Sequence, residues 1–158
     1  MDDGNLQELL DKLVKDLELA IDDRFGKNSV LGALFSEWKK IPSDQFKQLA
    51  LDLSLFAGSF GDWVLAFEIL QKLQTVSPVS GPMKLWELRC LVELNRSSEA
   101  LAMARAHHWS LEEQIHVNYL SGLAYEALGL RLEAAQRFDA VYRKNPHYSD
   151  VALRLVRE

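Results

Sequence analysis

Gly129-Leu130-Arg131-Leu132-Glu133-Ala134 decides the fold of this chain, because a similar phrase stands twice upstream at a fixed distance. Gly61-Asp62-Trp63-Val64-Leu65-Ala66 and Asn95-Arg96-Ser97-Ser98-Glu99-Ala100 precede it, so the closing alanines, Ala66, Ala100 and Ala134, fall 34 residues apart. A period of that length marks a helix-turn-helix array, in which each helix pair buries its apolar face by stacking on the next. Each phrase opens on Gly or Asn, the residues that most easily take the left-handed backbone closing a helix. Other columns keep the register: Leu51 with Leu85 and Tyr119, and Phe60 with Leu94 and Leu128. Pro78 and Pro146 share an exit position, where Pro stops a helix. The middle copy has Glu112 there, which predicts an exit built differently. No gap is needed across residues 47–148.

This pattern resembles the tetratricopeptide repeat. The copy at 115–148 carries it best, with Gly122, Tyr125, Gly129, Ala134, Phe138 and Pro146 at family sites. The copy at 47–80 keeps Gly61, Ala66 and Pro78 but has Ser54 and Ala57 at inner sites of its first helix. The copy at 81–114 keeps mainly Ala100 and has Leu88 where a small residue is usual. The resemblance implies an all-α fold, a right-handed superhelical solenoid of helix pairs crossing at the three alanines, in a single domain over residues 1–158. Residues 149–158 form its expected capping helix, bearing Val151, Leu153, Leu155 and Val156 and opened by Ser149 or His147; terminal units of a solenoid need such a cover. Residues 1–46 hold an N-terminal helix and a decayed helix pair: one period back from Leu51, Leu55 and Ala66 stand Leu17, Ile21 and Gly32, while Pro42 shortens the second helix.

Composition agrees with a helical domain. Hydrophobic residues make up 48% of 158, enough for a continuous core, and only four prolines occur. Leu6, Leu9, Leu10, Leu13, Leu17 and Ile21 form an apolar stripe at helical spacing. Glu8-Lys12 and Asp11-Lys15 add pairs four apart with the acid first, the favourable order. Ser110 followed by Glu113 is a capping-box signal. No apolar run is long enough to span a bilayer, and Met1-Asp2-Asp3-Gly4 lacks the positive start of a secretory signal. The one cysteine, Cys90, falls on a helix face expected to be buried. A cytoplasmic protein that does not insert into membranes is the expectation.

Net charge is −5, and residues 47–158 carry thirteen acids against twelve bases, so a nucleic-acid binder's basic excess is absent. Arg131, Arg137, Arg143 and Lys144 cluster on the last helix pair, read as a solvated face before a phosphate-binding edge. Enzyme signals are thin. His107, His108 and His116 have no acidic or Cys partner at a zinc-site spacing. Gly58-Ser59-Phe60-Gly61 lacks the Lys-Ser/Thr of a phosphate loop, and Ala57 stands where a nucleophile elbow needs Gly. No catalytic residue, metal ligand or cofactor is assigned.

Function is then expected from surface shape. The resemblance implies that the first helix of each pair lines a concave groove. Its columns read Leu51 and Leu55, Leu85 and Arg89, then Tyr119 and Leu123, with His116 one turn earlier. These are the candidate partner-binding residues. Some family members clamp a C-terminal carboxylate with Lys and Asn in these columns; Leu51 and Leu55 stand there instead. A mostly apolar groove with one Arg suits a helical or extended apolar segment of another protein. The expected function is a non-catalytic scaffold or adaptor. A chaperone masking part of a secreted or assembling client, and a structural component that pairs with itself as a homodimer, are the alternatives.

Overall fold

A computed structural model describes Lys15, Leu19, residues 43–74 and residues 81–157. Every regular element among them is an α-helix: α1 (Ser43–Ser59), α2 (Trp63–Gln74), α3 (Gly81–Glu93), α4 (Ser97–Ala106), α5 (Leu111–Ala127), α6 (Arg131–Lys144) and α7 (Val151–Arg157). Lys15 and Leu19 are helical and exposed; the rest of the expected N-terminal helix and helix pair, and Pro78, lie outside the described residues. No helix among the described residues is long and apolar enough to cross a membrane. The chain divides into two compact units, Met1–Val79 and Ser80–Glu158.

In the first unit α1 packs on α2. Leu65, Ala66, Ile69, Leu70 and Leu73 form a buried stripe on α2, one face of a 3.6-residue period. Ala50, Leu53, Ser54 and Ala57 face inward from α1. Ser54 stands one period from Leu88 and two from Gly122. Its hydroxyl is fully buried yet satisfied, donating to the Ala66 carbonyl at 2.6 Å. A polar residue at the crossing thus ties the two helices together rather than leaving a desolvated orphan. Asp62 begins α2 by accepting the Leu65 N–H at 3.0 Å, the work of a helix N-cap.

In the second unit α3 packs on α4 and α5, α4 on α5, α5 on α6, and α6 on α7. At Gly122, α5 and α6 come close together. A Cβ at Gly122 would lie 2.5 Å from Phe138 Cε1, so only Gly lets that buried ring sit against the helix. Cys90 is fully buried, as expected. Burial pushes its thiol pKa up to about 12, the Glu87 carboxylate adding to the effect.

The three inter-helix turns share one backbone hydrogen-bond pattern. The amides of Asp62, Arg96 and Leu130 donate to the carbonyls of Ala57, Leu91 and Tyr125 at 3.0, 2.9 and 2.9 Å. Those of Gly61, Asn95 and Gly129 donate to Gly58, Val92 and Glu126 at 2.9, 3.1 and 3.0 Å. This double closure, 6→1 and 5→2, needs a left-handed residue at its centre. Gly61, Asn95 and Gly129 supply it, with φ of 82°, 60° and 76°. Four residues after Asp62, Arg96 and Leu130, the alanines Ala66, Ala100 and Ala134 sit at 0%, 1% and 0% exposure.

The exits differ as Glu112 foretold. α6 runs 14 residues and ends beside Pro146, whereas α4 runs 10 and lacks the last turn. Trp109 fills in by donating its indole N–H to the Ala104 carbonyl at 2.8 Å. Ser110 then opens α5 with a complete capping box: its hydroxyl accepts from Glu113 N–H, and Glu113 Oε1 accepts from Ser110 N–H at 3.0 Å. That backbone bond holds the Glu113 carboxyl below the usual carboxylate range. Neither Ser149 nor His147 opens α7. The Asp150 carbonyl accepts the Arg154 N–H at 3.0 Å, so Asp150 stands at the cap, and Ser149 turns left-handed with φ 46° to bring it there.

Candidate peptide-binding face

His116, Tyr119 and Leu123 are three and four residues apart on α5, which places them on one face of that helix. The face is not bare. The C-terminal stretch from Tyr148 to Leu155 is seated on it, and Ile115, Tyr119 and Leu123 pack with Tyr148 and Leu155 around buried Phe138, Val141 and Val151. The Tyr119 ring lies 5.2 Å from that of Tyr148 and 5.9 Å from that of Phe138, both tilted, the range in which aromatic pairs attract. The His116 ring is 5.3 Å from Tyr148, and its Nδ1 meets the Tyr148 hydroxyl at 2.5 Å.

Charge completes the contact. Tyr119 donates its hydroxyl to Asp150 Oδ1 at 2.5 Å and accepts from Ser149 Oγ at 3.3 Å. Arg154 holds both Asp150 oxygens through Nε at 3.0 Å and reaches Glu126 of α5 through Nη1. Its guanidinium also lies over the Phe138 ring, 5.9 Å from the centroid. Partial burial works against the Asp150 carboxylate, but the bonds from Tyr119 and Arg154 outweigh it and hold the pKa below the ordinary value. Burial, and then the bond to Asp150, pushes the Tyr119 phenol upward. Burial raises Tyr148 as well, against the nearby Arg89 charge. Both phenols therefore act as neutral hydrogen-bonding groups at neutral pH.

On α3, Leu85 is half-buried, and Arg89 is exposed and paired with Glu93 at 3.0 Å. In the other unit Leu51 is half-buried and Leu55 is 39% exposed on α1. Glu126, Tyr148, Asp150 and Arg154 escape a reading by columns. They are partners across 28 to 32 residues, and one period before them stand Val92, Gln114, His116 and Leu120, none of the same kind.

Among the described residues no three His, Cys, Asp or Glu side chains converge as a metal site would require. His107, His108 and Trp109 lie in the link between α4 and α5, with the His107 ring edge-on to Trp109 at 4.5 Å. Ser59 donates to the Leu55 carbonyl at 2.9 Å, within its own helix. No protein-family model matches the chain, and no match was found among curated proteins or solved structures.

Proposed function

We propose that this chain is a non-catalytic interaction module of tetratricopeptide-like repeats that holds a short helical or extended apolar segment of another protein on its first helices. One observation carries the reading: the α5 face already holds such a segment, the Tyr148–Leu155 stretch of its own chain. The contact combines aromatic area, a buried Val151 and charge-assisted hydrogen bonds through Asp150 and Arg154. Those are the ingredients of an interface hot spot. Within the second unit Leu85 and Arg89 of α3 stand one period before Tyr119 and Leu123 of α5, so the same two columns recur on its other first helix. Apolar residues give area, and Arg89 selects an acidic group or a helix C-terminus on the partner.

Selection of random displayed peptides against the full chain tests this. Convergent apolar sequences whose binding falls on Leu85→Glu and on Arg89→Glu are expected. Peptides that bind both variants as well as the parent would remove the first helices from the account.

A further inference from the structure

A cavity of about 230 Å³ opens between α4, α5 and α6, away from the face that holds the C-terminal segment. Its apolar wall is Leu101, Ala104 and Val117. Ser121 and Tyr125, each bearing a hydroxyl, continue the wall along α5. Val117, Ser121 and Tyr125 are four apart, a stripe distinct from that of His116, Tyr119 and Leu123.

Two guanidinium groups border this cavity, Arg105 from α4 and Arg137 from α6. Both side chains are exposed, and neither has an ion-pair partner among the described residues. Arg137 touches only a neutral acceptor, Asn118 Oδ1, at 3.1 Å. On the same helices Glu99 is paired with Arg96 at 2.6 Å and Asp139 with Arg143 at 2.9 Å, and Glu133, one turn before Arg137 on α6, makes no ion pair with it. The protein carries a net charge of −5, yet it leaves two unneutralised arginines converging on one concave, partly apolar site. Guanidinium is the side-chain group best matched to a carboxylate, through paired N–H donors.

We infer that this pocket receives an acidic peptide segment. An Asp or Glu side chain of a second protein sits between Arg105 and Arg137, and an adjoining apolar side chain rests on Leu101, Ala104 and Val117. The size favours a peptide anchor over a cofactor: ligand pockets for whole small molecules run from about 300 Å³ upward. The apolar wall favours a carboxylate with an apolar neighbour over a bare inorganic anion. This site is independent of the first-helix face, so one can fail without the other.

The test uses the full chain, isotope-labelled, and two peptides with Gly-Ser flanks, one bearing a central Glu-Phe pair and the other Gln-Phe. Each is titrated to about 1 mM, the weak end of specific recognition. The Glu-Phe peptide should give saturable amide shifts at Ser121, Tyr125 and Arg137, and should bind about tenfold more tightly than Gln-Phe, as a charge-assisted pair requires. Arg105→Gln and Arg137→Gln should each abolish the preference while leaving the helical spectrum intact, since both side chains are exposed. Three results would overturn the inference: no saturable shift, shifts confined to His116, Tyr119 and Leu123, or displacement of the peptide by an equal concentration of inorganic phosphate.

Discussion

Phe138 occupies the space that any side chain on Gly122 would need: Cε1 of its ring lies 2.5 Å from where a Cβ would stand. Ala is the better helix former by about 1 kcal/mol, so propensity alone favours Gly122→Ala. Packing decides the other way, because Phe138 is fully buried and cannot retreat. Overpacking of a tight core costs about 1–3 kcal/mol. Gly122→Ala should therefore lower the denaturation midpoint, and Phe138→Leu placed on top of it should cost less than it does in the parent. A double-mutant cycle in urea measures both.

The left-handed turns make a second prediction. Gly129 has φ 76° with nothing near its absent Cβ, so Gly129→Ala meets conformational strain and no clash. The expected loss is about 1 kcal/mol. Asn95 does the same work at φ 60° with a side chain attached. Asn95→Gly should leave stability unchanged or raise it slightly. Equal losses at the two positions by thermal denaturation would contradict the shared turn.

Cys90 should be silent in the folded protein. It is fully buried and its pKa stands near 12, so both access and thiolate fraction oppose reaction. A chromogenic disulfide reagent should label one thiol per chain only as denaturant opens the Ser80–Glu158 unit. Prompt labelling without denaturant would place Cys90 outside the core.

Docking of the C-terminal segment should depend on pH through Asp150. Its folded pKa lies below the unfolded value, so the unfolded state binds the extra proton first as acid is added. The stabilisation is complete above the unfolded carboxylate value and fades as pH falls through the folded one. Tyr119 has the opposite shift: its contribution is complete below the ordinary phenol pKa and fades as pH rises through the raised one. Hydrogen exchange of α7 amides should show protection across neutral pH and loss at both extremes. Asp150→Asn should remove the acid limb; an acid limb of unchanged depth in that variant would exclude Asp150 as its source.

Much of the fold was legible because a repeat reports what recurs. Gly61, Asn95 and Gly129 stood in one column and share one turn; Ala66, Ala100 and Ala134 stood in another and are all buried. The break at Glu112 signalled the shortened α4. What stayed hidden is what occurs once. The columns place Tyr119 in the groove, but they do not show that its hydroxyl is engaged by Asp150, 31 residues away. Arg137 was grouped with Arg131, Arg143 and Lys144, its neighbours along one helix. The cavity pairs it with Arg105 of α4, a relation that depends on how α4 and α6 flank α5. Gly81 is a further case. A Cβ there would come 2.7 Å from Glu113 Oε2, the tip of a side chain from α5, a contact that no periodicity announces.

The central claim is that the first helices hold the partner segment. Site-specific photo-cross-linking tests it most directly, with the probe at half-buried Leu85 of α3 or at exposed Tyr142 of α6. The peptide selected against the full chain is the ligand. The account predicts a cross-linked adduct from position 85, reduced by Arg89→Glu, and none from position 142. An adduct from position 142 with none from position 85 would contradict it.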